Sequence, residues 1–313
     1  MLFRNKVIFA KTEVTYGTDP TPIGTDAVLT SNLQIQPYVG PTVSRNLDRS
    51  TLGGQSVVNT NPYSVITFDV ELSGSGTPAT AVAWDAVIKG CGFAQGTTSP
   101  TATGKQYTPI SSTWPSLTFY FFHDGQRHVI TGARGTMTMS FSRGAIPVMS
   151  YTFTGRYATP TNVAASGIDV TDYKSAIAVT YANTPTFTMG GSPLHVMRSE
   201  AFTIDVGNQV IPRNIINANE IFITDRAMAG SVTVEAATTK NWFSGGIESH
   251  TALVTNVLRM IHGTVSGNKI KIDAPAVQIT SVAQTDSEGV LVYQLGLSFT
   301  PVSGNDEIVI TTF

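Results

Sequence analysis

Charge is scarce in this sequence. Asp, Glu, Lys and Arg make up 13% of its 313 residues, about half of the roughly 25% usual for a soluble globular protein. Something other than charge must keep the surface in order. Protein interfaces are depleted in Lys, Glu and Asp, so low charge fits a chain whose outside is covered by copies of itself; a secreted β-sandwich with a Ser/Thr-rich surface fits equally well. The few charges are balanced, 21 acidic against 19 basic for a net of −2, which argues against a protein that grips nucleic acid by neutralising phosphates. Cys91 is the single cysteine, so an intrachain disulfide and a cysteine metal cluster are both excluded. No run of about 18 apolar residues occurs, which excludes a membrane helix. Met1 to Ala10 is basic and then apolar only from Val7 to Ala10, too short for the core of a secretion signal. The expectation is a chain that folds in a cytoplasm.

Motifs for chemistry are equally sparse. There is no GxSxG elbow and no HExxH. Gly74-Ser75-Gly76 lacks the lysine and the spacing of a phosphate loop and reads as a strand-to-helix turn. His123, His128, His195, His250 and His262 show no metal-ligand spacing. Asp69 and Glu71 fall on one strand face, but as a polar sheet surface and not as a catalytic pair. Trp84 and Trp242 read as core anchors. The expectation is no catalytic site, no cofactor and no metal.

What is present is strand pattern. At 313 residues there is room for two domains or one large all-β domain, and abundant Gly, Pro, Thr, Ser and Val favour strands and turns. From Val65 to Leu72, Ile66, Phe68, Val70 and Leu72 alternate with Thr67, Asp69 and Glu71, the period of a half-covered strand. Ser231 to Ala236 repeats the pattern, with Glu235 matching Glu71 at a spacing of 164 (235 minus 71). Its neighbours repeat in the same order. Val196 to Ile204 echoes Val28 to Ile35, Arg213-Asn214 echoes Arg45-Asn46, Val257 to His262 matches Phe119 to His123, and Val290 to Phe299 matches Met149 to Tyr157. A single insertion around residues 92 to 115 accounts for the change in spacing along the way. The spacing predicts one clear helix, about residues 78–91, with Thr77 as cap and Pro78 opening it, and a shorter helical segment after Trp242. The fold expected is all-β: two tandem β-sandwich or partial-barrel domains, residues 1–165 and 166–313, each with a flanking helix or helical turn.

Four stretches carry a family resemblance: Ala10 to Pro20 (AKTEVTYGTDP), Ile223-Thr224-Asp225-Arg226 running into Glu235, His262-Gly263-Thr264 with Ala274 to Gln278, and Gly304-Asn305-Asp306-Glu307. Together they resemble the major tail protein, the tail tube subunit, of long, non-contractile-tailed bacteriophages. The resemblance implies small β-sandwiches whose sheets join side by side into rings, rings that stack into a tube in the virion tail, assembly in the host cytoplasm, contacts to other tail proteins at the tube ends, and genomic DNA passing through without specific binding or any membrane. Most such subunits carry one tube domain and form hexamers; two domains here imply a trimer with pseudo-sixfold symmetry. The long stretch Pro37 to Pro62 and its counterpart near Arg213 to Glu220 become candidates for contacts between rings, anchored by Arg45, Asp48, Arg49, Arg213 and Asn214. Asp69, Glu71 and Glu235 are expected to face the lumen, where acids repel phosphate. The alternative is a receptor- or carbohydrate-binding β-sandwich of fibre or adhesin type, which calls for exposed aromatics on one sheet face.

Overall fold

Alternating Thr, Ser, Val and aromatic residues pack well on a pleated surface, and strand is by far the main regular structure of the described residues. The computed structural model describes residues 2–96, 104–190, 194–238, 240–243 and 255–313. Up to residue 156 the strands are β1 (Lys6–Thr12), β2 (Ala27–Val28), β3 (Ser31–Val39), β4 (Thr42–Ser44), β5 (Val57–Asn59), β6 (Tyr63–Glu71), β7 (Phe93–Gly96), β8 (Lys105–Pro109), β9 (Leu117–His123), β10 (Gln126–Ser142) and β11 (Val148–Arg156). Beyond it they are β12 (Thr186–Gly190), β13 (His195–Val196), β14 (Ser199–Asp205), β15 (Asn208–Ile215), β16 (Ala218–Arg226), β17 (Ala229–Glu235), β18 (Asn256–His262), β19 (Ile270–Ser287), β20 (Val290–Phe299) and β21 (Val309–Thr312).

The long strand β10 serves two packed sheets. Its early part pairs with β9, which pairs with β1 and through it β2. Between Ile130 and Ala133 the register shifts, and Gly132 sits at φ +63°, a backbone state that a Cβ disfavours. Past this bulge the strand bends, and Arg134 to Ser140 pair with β11, followed by β6 and β3. β19 behaves alike. Its early part pairs with β18, then β12 and β13, and its later part pairs with β20, then β17 and β14.

Two ladders tie these groups together. Thr138 to Ser142 of β10 pair with Asp205 to Ala201 of β14, and the C-terminal strand β21 lies between β19 and β8, whose hairpin partner is β7. The first ladder makes one antiparallel sheet of eight strands in the order β3-β6-β11-β10-β14-β17-β20-β19. It does not close on itself. One face is core: Phe68 stacks on Tyr151 and Phe153 with ring centroids 5.4 and 6.0 Å apart, and Met139, Phe202, Ile204, Val232 and Leu295 continue it across the sheet, all buried. The opposite face is Thr67 and Asp69, Ser150 and Thr152, Thr138 and Ser140, Thr203 and Asp205, Thr233 and Glu235.

β9 is buried on both faces. Phe119 and Phe121 enter the main core, while Tyr120 and Phe122 meet Phe9 and Ala27 under Ala165 and Val170. Those last two belong to a stretch, 157–185, without a named strand that nonetheless lies tied down: Thr161 bridges to Arg127, Tyr173 donates to the Ala83 carbonyl at 3.3 Å, and Val179 N–H to Ala145 O. The chain beyond residue 165 thus keeps contact with the first group as far as Val179.

The helix expected over residues 78–91 is only α1 (Asp85–Gly90). Gly76 and Ala79 take φ +80° and +63°, so residues 77–84 run as turns that swing Val82 and Trp84 into the core; the Trp84 indole donates to Ser73 O at 2.9 Å. Gly92 at φ +78° follows the helix end. Of the expected apolar stripe Ala81, Trp84, Val87, Ile88 and Cys91, the last four are fully buried even so, whereas Ala81 is exposed. Val28 to Ile35 divides into β2 and β3. The helical segment expected after Trp242 falls largely on residues 244–254, outside the described residues.

Candidate assembly surfaces

Among the described residues the eight-stranded sheet ends in two strands paired on one side only, β3 and the later part of β19. Both are mostly exposed. An unpaired edge is a template for another strand, and these two are polar, with Pro37 and a left-handed Asn32 in β3, features that discourage indiscriminate pairing. Inside the chain, strands at the corresponding places do pair: β14, adjacent to β17 as β3 is to β6, lies on β10.

The polar face of this sheet holds Asp69, Glu71 and Glu235 on one side, spread across it and not gathered. Asp69 accepts from Asn32 Nδ2 at 2.7 Å, Glu71 is exposed at the end of β6, and Glu235 lies 3.5 Å from Arg198. Lys and Arg are absent from β3, β6, β14, β17 and β20. Arg134 and Arg156, on β10 and β11, turn to Ile221 and Trp114 carbonyls and to Gly17 O and Thr131 respectively.

Two hairpins project from the sheet at equivalent places, β4–β5 between β3 and β6, and β15–β16 between β14 and β17. Arg45, Asp48 and Arg49 are exposed in the loop of the first, and Arg213 and Asn214 near the tip of the second. Each tip carries a bare apolar side chain, Leu52 and Ile216, fully exposed. The structure does not bring the two charge groups together; each stays on its own arm.

The arms differ at their bases. That of β15–β16 is seated on β10, burying Ile221 and Ile223. Ile221 N–H donates to the Tyr16 hydroxyl at 2.6 Å and Ile221 O accepts from Arg134 Nη1 at 2.5 Å, while the Arg134 guanidinium lies 4.9 Å from the Tyr16 ring centroid. Burial pushes the Tyr16 phenol up, keeping it a neutral acceptor. Asn208 Nδ2 donates to Cys91 O and Gly135 O at 2.7 and 3.0 Å. Arg226, closing β16, meets Glu307 at 2.8 Å and Asn305 at 3.2 Å.

This joint escaped sequence reading, although its parts were in view. Glu13 and Tyr16 lie in the first resemblance stretch, Ile223 and Arg226 in the second, Asn305 and Glu307 in the fourth, and all serve one seat. Glu13 builds its floor: its carboxylate accepts from Gly17 N (2.6 Å), Ser116 Oγ (2.5 Å), Thr118 Oγ1 (2.7 Å) and Gly132 N (2.7 Å). Gly132 is required there, since a Cβ would come within 2.8 Å of the Tyr16 ring. His262, from the third stretch, is instead a core anchor, neutral between Thr184 Oγ1 and Ile177 O, each 3.0 Å away, its pKa lowered by burial. His250 lies outside the described residues.

A family model described as phage tail tube protein matches residues 4–311. No curated protein matches the chain.

Proposed function

The chain belongs to the phage tail tube protein family, and from that premise we propose that three copies close into a ring and that rings stack into the tube of a long, non-contractile phage tail, through which the genome leaves. The family is one of structural proteins of the phage tail and not of enzymes. The observation that carries the proposal is the open eight-stranded sheet; its inner junction of β10 with β14 supports reading the β19 edge as the complement of the β3 edge. On this reading residues 1–165 and 166–313 hold two tube domains, and the internal junction stands for a junction between subunits. Pairing β19 of each copy with β3 of the next removes both free edges. Three sheets of eight strands at about 4.8 Å spacing enclose a circle at least roughly 37 Å wide before strand tilt widens it, ample for a duplex.

The Ser/Thr face then lines the lumen. Hydroxyls spaced along strands offer no fixed cation, and Asp69 and Glu71 add repulsion toward phosphate, with Glu235 adding less because exposed Arg198 lies 3.5 Å from it. Arg45, Asp48, Arg49, Arg213 and Asn214, with Leu52 and Ile216, reach from the arm tips toward the next ring. Other tail proteins cap the two ends, the complete tube belongs to the virion, and assembly takes place in the host cytoplasm. Electron microscopy of the purified chain tests the proposal: threefold rings or tubes are expected, and discrete monomers at all concentrations refute it. Replacing Asp69, Glu71 and Glu235 by Lys should retard DNA ejection; unimpeded ejection would remove them from the lumen.

A further inference from the structure

The two arms occupy equivalent places yet live in opposite environments. β15–β16 seats Ile221 and Ile223, 0% and 4% exposed, on β10 of its own chain. On β4–β5, every residue from 41 to 59 is exposed, including Val43, Val57 and Val58 at 54%, 59% and 50%. Val43 and Val58 are direct ladder partners, so they present one apolar patch on a short hairpin. The hydrogen bonds recorded for its loop stay within the arm, as from Gln55 Nε2 to Leu47 O and from Arg49 to Gly54 O. A two-stranded hairpin has little stability by itself, and valines at this exposure on one are a surface awaiting a cover.

The chain itself shows which cover fits. The β15–β16 base enters where β10 has left β9 and not yet met β14, beside Gly135 and Thr136. The matching stretch of β19 lies after its last pairing with β18, at Val277, and before its free edge. There Gln278 to Val282 include exposed Thr280 and Ser281. Among the described residues β3 has no strand on its outer side, so within one chain β4–β5 does not reach that stretch in the way β15–β16 reaches β10.

We propose that the base of the β4–β5 arm is a clasp that seats on β19, near Gln278 to Val282, of the adjacent copy in the same ring, burying the Val43 and Val58 face there. The proposal rests on the tube reading above and adds to it a division of labour: the arm base acts within a ring and only the tip reaches the next one.

Hydrogen exchange on unassembled chain, isolated rings and stacked tubes tests this, together with the variant Val43→Asp/Val58→Asp. Both valines are exposed in the single chain, so the variant should keep the parent's thermal midpoint while needing at least tenfold more protein to form rings by sedimentation velocity. Amides of β4–β5 and of Gln278 to Val282 should become protected already in isolated rings. Protection of the arm appearing only in tubes, or a variant that forms rings at the parent's concentration, overturns the clasp while leaving the tube reading intact. Failure of the parent to form rings under any condition overturns both.

Discussion

Arg226 and Glu307 tie the foot of β16 to the loop before the last strand, with side chains 12% and 11% exposed and 2.8 Å between them. Arg226 also donates to Ile110 O at 2.9 Å and to Asn305 Oδ1 at 3.2 Å. Replacing Glu307 by Leu leaves a nearly buried guanidinium without a counter-charge, a situation that costs about 3–5 kcal/mol. The two remaining acceptors put this case at the low end, about 3 kcal/mol. Replacing Arg226 by Met strands the carboxylate and takes the donor from two oxygens, again about 3 kcal/mol. The double variant loses the same oxygen contacts but leaves no lone charge, so it should cost about 3 kcal/mol and not the 6 expected of independent sites. With a urea slope near 3 kcal/mol per M, each single variant should lower the midpoint by about 1 M and the double variant by about the same. Single effects that add to within about 0.5 kcal/mol would refute the reasoning, since uncoupled groups cannot be what holds the arm to the closing loop.

Glu13→Gln should destabilise by about 1–3 kcal/mol, because either amide rotamer aims an NH2 at a backbone N–H, Gly17 or Gly132, that cannot turn away; an unchanged denaturation midpoint would contradict this. His262 is held neutral with its pKa lowered, and burial lowers His128 and His195 as well. Their contribution to stability is complete above the ordinary histidine value of about 6.5 and declines as pH falls below it, by at most about 1.4 kcal/mol per pH unit for buried His262 and by less for the more exposed His128 and His195. Midpoints compared at pH 7.5 and 5.5 should fall on acidification, and less so in His262→Gln; a flat profile in the parent would count against it. Thr285 lies opposite Val292 as Ser140 lies opposite Val148, and Gln34 opposite Thr67 as Thr203 opposite Ser231. Since Ser140 faces Thr203 inside the chain, Gln34→Cys with Thr285→Cys should cross-link copies into a covalent series ending at three. Ser140→Cys with Thr203→Cys should close within one chain, and buried Cys91 should stay out of both reactions. Rings that form without the intermolecular bond, or a series running past three, would refute the register.

Much of the strand content was open to reading because a half-covered strand writes its face into every second residue. Val65 to Leu72 announced β6 this way. The helix over residues 78–91 was misjudged in length for the complementary reason. Spacings of three and four fit Trp84, Val87, Ile88 and Cys91, but turns at Gly76 and Ala79 bring the same side chains to the core without helical backbone. The arms show a second limit. Pro37 to Pro62 read as one long contact stretch and not as a hairpin because a two-stranded hairpin with nothing packed on it is exposed throughout, and Arg45, Asp48, Arg49 and Arg213 stood out by their charge, Asn214 only by its place beside Arg213. The seat of β15–β16 could not be read as one unit, although Glu13, Arg226 and Glu307 lie in resemblance stretches, since its members come from remote parts of the chain.

By itself the sequence determined an all-β chain, poor in charge and lacking the spacings that metal and catalytic chemistry require, because periodicity and composition are local properties that survive without coordinates. Only the tertiary structure decided which strand edges remain bare, which hairpin is seated and which stands free, because burial of an edge or an arm depends on partners more than a hundred residues away, as Tyr16 is from Ile221.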